Sequence, residues 1–290
     1  MKTTAISDDY QEIGARIATL LGKPRINGLY LPEPVADETF RDEFGFVFLE
    51  DGGIGPFYIS MQDILAGVSR RYPKPERCDE DAISVLQGFA SDNPANRALA
   101  LGTYNALSAS LYREAGFEPP DRSANSGLGR LSDGQPIGMV GYFSPLVEKL
   151  TAHGCEVLVL ERAPERVPVR PGVAVTERLQ DLAGCGYLLC TASTLINHTL
   201  EDVLSVKQAG AIFELVGPSG SGLPDPLFER GVTSVGGVSF ADRDKLVEHL
   251  RSGGSWGAAG RKYQLDADSY PGLEQLIDRS ADNRSDTDKP

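Results

Sequence analysis

The chain has 290 residues, a length that suits one large or two medium domains. Hydrophobic residues make up 41% and charged residues 24%, average values for globular proteins that exclude a disordered or fibrous polymer. The 28 Lys and Arg against 41 Asp and Glu give a formal net charge of −13, which argues against binding to nucleic acid or to an anionic membrane. A buried nucleotide pocket remains compatible with this charge.

No apolar leader follows Met1, and nowhere does the chain contain the roughly 18 consecutive apolar residues of a membrane span, so we expect a cytoplasmic protein. The chain has four cysteines and no CxxC pair. This spacing predicts reduced thiols and indicates neither a disulfide framework nor a zinc ribbon.

The first 118 residues predict an α+β domain. Helical spacing of apolar residues begins near Asp8 and ends near Leu21, before Gly22. Short β-prone runs and then two further helical segments follow, a strands-then-helices order typical of this fold class. The predicted strands span residues 26–31, 44–49 and 57–59, and the later helices span 83–89 and 93–112.

Residues 119–134 are rich in Pro, Ser, Asn, Gly and Asp and predict a linker between two domains. From 135 to 275, apolar runs alternate with amphipathic segments, a pattern typical of a mostly parallel sheet covered by helices. Residues 276–290 are polar and lack periodicity, which predicts a flexible tail. The alternating segments span 136–143, 145–153, 155–160, 177–182, 187–192, 200–208, 211–217, 232–240 and 243–252.

Ligands bind outside the carboxyl ends of the strands in a doubly wound sheet, so the loops there are the candidate sites. The first such loop runs from Gly138 through Gly141 to Ser144, which is predicted to cap a helix with Pro145 in its first turn. Backbone N–H groups at such a helix start favour an anionic ligand. The G-x-x-G spacing differs from the full dinucleotide fingerprint, so a tight turn without a ligand stays an alternative.

Glu161 follows the next apolar run and lies 20 residues after Gly141, the spacing of an acid that accepts hydrogen bonds from ribose hydroxyls. The alternative is a solvated carboxylate paired with Arg162 or Arg166.

The third loop, residues 190–199, concentrates hydroxyl and amide side chains: Thr191, Ser193, Thr194 and Asn197. Thr199 and Asp202 have the spacing of a capping box, so Thr199 also has a structural interpretation. For the others the alternative is a turn that satisfies its own backbone.

The fourth loop, residues 217–222, is glycine-rich and lacks the lysine of a phosphate-binding P-loop, which excludes a Walker site. Its glycines would let the backbone approach a ligand closely.

Among the three histidines only His198 lies at the predicted ligand edge, where it is a weak candidate for a general base. A surface histidine is the more common outcome. Cys190 ends a strand beside the same loop, where cysteines are usually inert, and no Ser-His-Asp triad can be assigned.

The runs GMVGYFSPLVEKL, EVLVLER, LLCTASTLINHTLEDVL and FELVGPSGSGLPDPLFERGVTSVGGV resemble the DUF364 family, whose label is heavy-metal chelation. The resemblance covers about residues 135–255. Upstream, the segment from Gly102 to Leu107 resembles the DUF4213 domain that precedes DUF364 in the same family.

The resemblance implies an enolase N-terminal-like α+β domain, a Rossmann-like domain and a ligand cleft between them. It also implies a heavy-metal ion or a chelated metal as ligand, although the sequence contains no compact Cys/His cluster. The implied pocket residues are Asn105, Gly141, Tyr142, Phe143, Glu161, Thr191, Ser193, Thr194, Asn197, Thr199, Gly217, Pro218 and Ser219.

Three hypotheses follow. The first is a protein that binds a small polar metabolite, such as a metal chelator or its precursor, in the interdomain cleft. The second is an enzyme that uses NAD or S-adenosylmethionine at the Rossmann-like edge, and the third is a non-catalytic scaffold. The sequence leaves open whether the protein is an enzyme and whether it forms a homo-oligomer.

Overall fold

The computed structural model describes residues 4–33, 43–61, 63–122 and 136–287. An α+β region precedes a mostly parallel sheet, so the predicted fold class is confirmed. No helix within these residues is both long enough and apolar enough to cross a bilayer.

The N-terminal region packs helices against one face of an antiparallel sheet with strand order β3-β2-β1-β4. Its predicted strands and helices are present with ends shifted by a few residues. Its elements are α1 (Ile6–Leu20), β1 (Arg25–Tyr30), β2 (Phe44–Leu49), β3 (Ile54–Tyr58), α2 (Ile64–Arg71), β4 (Glu80–Asp81), α3 (Ala82–Leu86) and α4 (Pro94–Glu114).

Helix α4 is the central element of the molecule. Asn93 caps it by accepting a hydrogen bond from the amide of Ala95 at 2.9 Å. Small residues let β3 approach it closely, since a Cβ added at Gly55 would lie 1.9 Å from the carbonyl oxygen of Gly102. Buried residues surround the helix on all sides, as expected for a helix inside a core.

The C-terminal region is built on a seven-stranded sheet with order β11-β10-β9-β8-β5-β6-β7, in which only the β10–β11 pair is antiparallel. Its elements are β5 (Ile137–Val140), α5 (Ser144–Ala152), β6 (Val157–Leu160), β7 (Val173–Thr176), β8 (Tyr187–Thr191), α6 (Leu200–Ser205), β9 (Ile212–Val216), α7 (Asp225–Phe228), β10 (Ser234–Ser239), α8 (Arg243–Arg251), α9 (Trp256–Ala259), β11 (Arg261–Asp266) and α10 (Leu273–Thr287).

The two faces of this sheet have different neighbours, because successive strand residues point to opposite sides. Leu188 and Phe213 belong to a large core that also contains Ile17 and Leu107 of the N-terminal region. On the opposite face, Val147 of α5 packs in a second core. The N-terminal region therefore covers one face of the C-terminal sheet.

An ion pair between Arg122 and the buried Glu214 attaches the end of the N-terminal region to the C-terminal sheet. Glu214, only 1% exposed, pairs with Arg122 and accepts a hydrogen bond from the hydroxyl of Tyr187 at 2.5 Å. The amide of Arg122 also donates to the carbonyl of Lys262 in β11. The predicted linker thus begins along the edge of the sheet, and its residues 123–134 lie outside the described part.

The structure differs from the sequence prediction at the C-terminus, where α10 occupies most of the segment predicted as a flexible tail. Leu273, Leu276 and Ser280 are buried on one side of the helix, and Arg284 donates to the carbonyl of Leu20 at 2.7 Å. A narrow apolar stripe is enough to hold this polar helix against the protein, because its other face is exposed to solvent.

Three strands, β4, β7 and β11, and three helices, α2, α7 and α9, were also missed. Residues 179–184 form a short 3-10 helix where the sequence predicted an amphipathic segment.

Candidate functional site

The strand order reverses between β5 and β8, which makes their carboxyl ends the topological switch point of the sheet. Gly141 follows β5 with φ of +80°, and its missing Cβ would lie 3.1 Å from Cγ2 of Thr191 at the end of β8. The amide of Gly141 donates to the carbonyl of Leu160 at 3.0 Å, which ties this turn to the end of β6. The turn at Gly141 therefore lies beside the ends of both β6 and β8.

Two hydroxyl groups lie at this point. Oγ1 of Thr191 and Oγ of Ser193 are 3.0 Å apart, and both residues are half-buried. The amide of Ser193 donates to Oγ1 of Thr191 at 3.3 Å. The pair combines donor and acceptor capacity with partial exposure, which suits recognition of a small polar group.

Thr194 and Cys190 serve the local structure. Thr194 is 2% exposed, and its hydroxyl donates to the carbonyl of Thr191 at 2.6 Å. Sγ of Cys190 lies 3.5 Å from the same hydroxyl, and burial raises the pKa of this thiol to about 12. The Cys190 thiol therefore remains protonated and a poor nucleophile at neutral pH.

Asn197 and Thr199 form a second hydrogen-bonded pair further along the loop. Oδ1 of Asn197 accepts from the amide and the hydroxyl of Thr199, at 3.1 and 2.6 Å. The predicted capping box is absent, because the Thr199 side chain makes no bond to the α6 backbone. Nδ2 of Asn197 lies 3.8 Å from Sδ of Met61, so this end of the loop meets the N-terminal region.

Tyr142 and Phe143 pack against the core beside α5. Phe143, and not Ser144 as predicted, occupies the N-cap position, without a side-chain hydrogen bond. Ser144 is already inside the helix, where its hydroxyl donates to Oε1 of Glu148 at 2.9 Å. Pro145 lies in the first turn as expected.

Glu161 follows β6 directly and is half-buried, at the position predicted for a ribose-binding acid. Its Oε1 accepts a hydrogen bond from the amide of Ala163 at 3.2 Å. The other carboxylate oxygen makes no hydrogen bond to the residues that the structure describes.

The glycine-rich loop after β9 joins the two regions. Ser219 is 1% exposed, and its Oγ accepts a hydrogen bond from the amide of Tyr58 in β3 at 2.9 Å. Pro218 is buried beside it, whereas Gly217, with φ of +120°, is partly exposed and leads the chain into the loop. The glycine-rich sequence predicted a surface for a ligand at this loop, but protein covers most of it.

Helix α4 covers the glycine-rich loop after β9. Nδ2 of Asn105 donates to the carbonyls of Pro56 and Ser219, at 2.8 and 3.0 Å. Tyr104 donates from its hydroxyl to the carbonyl of Leu223, and the amide of Leu223 donates to the hydroxyl of Ser108, each at 3.0 Å. Oδ1 of Asn105 is buried and has no hydrogen-bond partner among the described residues.

His198 is exposed and has φ of +58°, a conformation that is uncommon outside glycine. Burial of part of the ring, together with the positive charge of Arg97, lowers the pKa of His198. Within the described residues its ring makes no hydrogen bond, so no nucleophile is placed for it to activate.

The described residues contain no cluster of three His, Cys, Asp or Glu side chains that could hold a metal ion. The four cysteines are free, and two of them, Cys185 and Cys190, are buried. This donor set does not fit a bare heavy-metal ion bound by protein side chains alone.

Arg97, which was not predicted as a site residue, is buried and contacts the loop after β8 through the carbonyl of Ile196. A signal was available, because Arg97 and Arg113 are the positively charged residues in a helix that is otherwise mostly Ala, Leu and small polar residues.

The fold and this edge of the sheet define the class of protein. It is an α/β protein in which an α+β region precedes a sheet with the strand order of a Rossmann fold. Polar side chains lie at the topological switch point of that sheet. Residues 127–267 match the DUF364 family, described as "Putative heavy-metal chelation", which confirms the resemblance for this part of the chain. The DUF4213 and enolase-like resemblances of the N-terminal region stay predictions.

An uncharacterized protein of Methanocaldococcus jannaschii is 24% identical over 244 residues, covering 81% of this chain and 90% of its own length. A DUF364 protein of unknown function from Pyrococcus horikoshii has a similar crystal structure, with a TM-score of 0.65, 18% identity and coverage of 89% of this chain and 99% of its own. A DUF364 protein of unknown function from Desulfitobacterium hafniense gives a TM-score of 0.61 at 18% identity, covering 89% of this chain and 98% of its own. These likenesses support the fold.

Proposed function

We propose that this protein binds a small polar metabolite at the switch point between β5 and β8, and that the ligand is a metal chelator, its metal complex or its precursor. The observation that carries the proposal is the close approach of the Gly141 backbone to Thr191, where an added Cβ would lie 3.1 Å from Cγ2 of Thr191. This places the half-buried hydroxyls of Thr191 and Ser193 beside a turn without a side chain. A ligand can approach such a backbone closely.

The metal part of the proposal concerns a chelated ion. The DUF364 description refers to heavy-metal chelation, whereas the described residues offer no donor set for a bare ion. Hydroxyl and amide groups instead suit the oxygen atoms of an organic chelator, which would bring its own metal ligands.

Native mass spectrometry of the freshly purified protein tests the proposal before any ligand is chosen, because a bound chelator or complex adds a defined mass. Titration calorimetry with nickel ion alone, citrate alone and nickel citrate then separates the ion from its complex. We expect binding of an organic acid or its complex, and weaker binding by Thr191→Val and Ser193→Ala.

Thr151→Val is the matched control, since the Thr151 hydroxyl bonds within α5 to the carbonyl of Val147. The proposal fails if the purified protein carries no small molecule and neither citrate nor nickel citrate binds. It also fails if the loop variants bind like the control, an outcome that would favour the scaffold hypothesis.

A second candidate, a nucleotide-dependent enzyme, is favoured by one observation. Glu161 follows the strand next to the Gly141 turn and keeps one carboxylate oxygen without a described partner, as a ribose-binding acid requires. NAD or S-adenosylmethionine at about 100 times its dissociation constant should stabilise the protein by about 2.7 kcal/mol. This candidate would be excluded if neither compound raised the melting temperature. It would also be excluded if the compounds stabilised Glu161→Gln as much as the wild-type protein.

A further inference from the structure

Arg97 lies where a positive charge is costly. It is the fourth residue of α4 and only 8% exposed. Its Nε donates to the carbonyl of Ile196 at 2.6 Å, and its Nη1 donates to the carbonyl of Ser91 at 2.8 Å. Two neutral carbonyl groups therefore hold the guanidinium at the junction between α4 and the loop after β8.

The charge of this guanidinium has no direct counterion. Among the described residues no carboxylate forms an ion pair with Arg97, and its Nη2 makes no hydrogen bond to them. Asp92 acts on it only from a distance, and burial lowers the pKa of Arg97. Its position near the start of α4 adds to the cost, since the positive end of a helix dipole disfavours cations.

His198 follows two residues after Ile196, whose carbonyl Arg97 binds, and the positive charge of Arg97 acts on its ring. His198 is exposed and has a left-handed backbone conformation, and its ring has no hydrogen-bond partner among the described residues. The charged groups that act on the imidazole are Arg97, which disfavours its protonation, and Glu201 and Asp92, which favour it.

We propose that Arg97 and His198 together bind an oxyanion, namely a carboxylate or a tetrahedral anionic group of a small ligand. The Nη2 group and the imidazole would supply the donors, and the ligand would supply the counterion that the buried guanidinium lacks. The two residues come from different regions of the chain, so the bound anion would also bridge them. This site stands independently of the proposed function at Gly141 and Thr191.

The competing interpretation is that Arg97 only fastens α4 to the loop through its two carbonyl bonds. This interpretation predicts the same stability loss on mutation but no effect of anions. The test must therefore read out the anion at His198 and not stability alone.

The three histidines of the chain allow this readout by NMR. The ring signal of His198 is assigned by its loss in His198→Asn, a change that keeps a residue tolerant of positive φ. Sulfate is the first probe, because it stays fully ionised over the range in which histidine titrates, and acetate is the second, which separates tetrahedral from planar anions. Chloride at equal ionic strength is the reference.

We expect sulfate or acetate to shift the His198 signal saturably, to raise the pKa of His198, and to leave His153 and His249 unaffected. In Arg97→Gln the pKa of His198 without anion should rise, because a positive neighbour is removed, while anion affinity should fall at least about tenfold. Arg113→Gln, at the other end of α4, is the control and should behave as wild type.

Absence of a saturable shift in the wild-type protein with both anions overturns the proposal, as does an equal shift in folded Arg97→Gln. If Arg97→Gln does not fold, Arg97→Lys is used, with the same expectation of weakened affinity because Lys lacks the planar fork. The Thr191 and Ser193 variants should keep the response, which separates this site from the one proposed above.

Discussion

The amide of Tyr58 donates a hydrogen bond to the side-chain oxygen of Ser219 at 2.9 Å, across the junction between the two regions of the molecule. The carbonyl of the same serine accepts a hydrogen bond from Asn105. One residue of the loop after β9 is thus bound by both a strand and a helix of the N-terminal region. The junction has a fixed register, set by hydrogen bonds and not by apolar contact alone.

Replacement of Ser219 by Ala should therefore destabilise the protein by about 1–2 kcal/mol, because one buried hydrogen bond is lost. Urea unfolding measures the difference. Ser205→Ala is the control, since this exposed hydroxyl bonds only to the nearby carbonyl of Asp202, and it should change stability by less than about 0.5 kcal/mol. Equal effects of the two substitutions would contradict the role given to Ser219.

Gly141 and Gly154 form a matched pair, with φ of +80° and +79°. Ala at either position meets the left-handed penalty of about 1–2 kcal/mol. Only at Gly141 does the new Cβ meet another side chain, that of Thr191, whereas nothing lies within 4 Å at Gly154. We expect Gly141→Ala to be the more destabilising in thermal unfolding, and to weaken ligand binding that Gly154→Ala leaves intact.

The buried carboxylate of Glu214 should be sensitive to loss of charge. Glu214→Gln removes the negative charge that faces the partly buried Arg122, and the expected cost is about 3 kcal/mol. Asp79→Asn breaks the exposed pair with Arg25 and should cost at most about 1 kcal/mol. Chemical denaturation compares the two, and a Glu214→Gln protein as stable as wild type would show that Arg122 finds adequate compensation elsewhere.

The reactivity of the cysteine thiols tests the burial of Cys185 and Cys190. Burial raises the pKa of Cys190 to about 12 and also raises that of Cys185, so neither should react with a thiol reagent near pH 8 in the folded protein. Cys78 and Cys155 are only half-buried, but burial raises the pKa of Cys78 to about 11, so Cys155 should react first. Mass mapping of alkylated peptides before and after unfolding reads the order, and rapid labelling of Cys190 in the native protein would contradict its assignment to the core.

Much of the fold could be predicted because most of its strands are short apolar runs that can be recognised in the local sequence. The apolar run at 187–192 and the turn at Gly141 are visible in the sequence, and the rule that ligand loops gather at carboxyl strand ends correctly brought Gly141 and Thr191 together. The alternating pattern predicted a parallel sheet, and the carboxyl ends of parallel strands lie at one edge of the sheet.

The role of the residues around Ser219 could not be predicted in this way. Gly, Ser and Pro indicate an exposed turn when only neighbours in sequence are considered. Their burial depends on Tyr58 and Asn105, which lie more than a hundred positions earlier. Helix α10 was missed for a related reason, because its stability depends on a partner such as Leu20 that its own polar sequence does not reveal.

The burial of the loop after β9 affects which fragments of this chain can fold alone. A fragment limited to residues 127–267 would lose α4 and, with it, the side chains of Tyr104, Asn105 and Ser108 that bind this loop. The freed carbonyl and amide groups would face water beside a newly bared apolar sheet face, so such a fragment should aggregate. We therefore expect the smallest unit that folds to be larger than the region that matches the family.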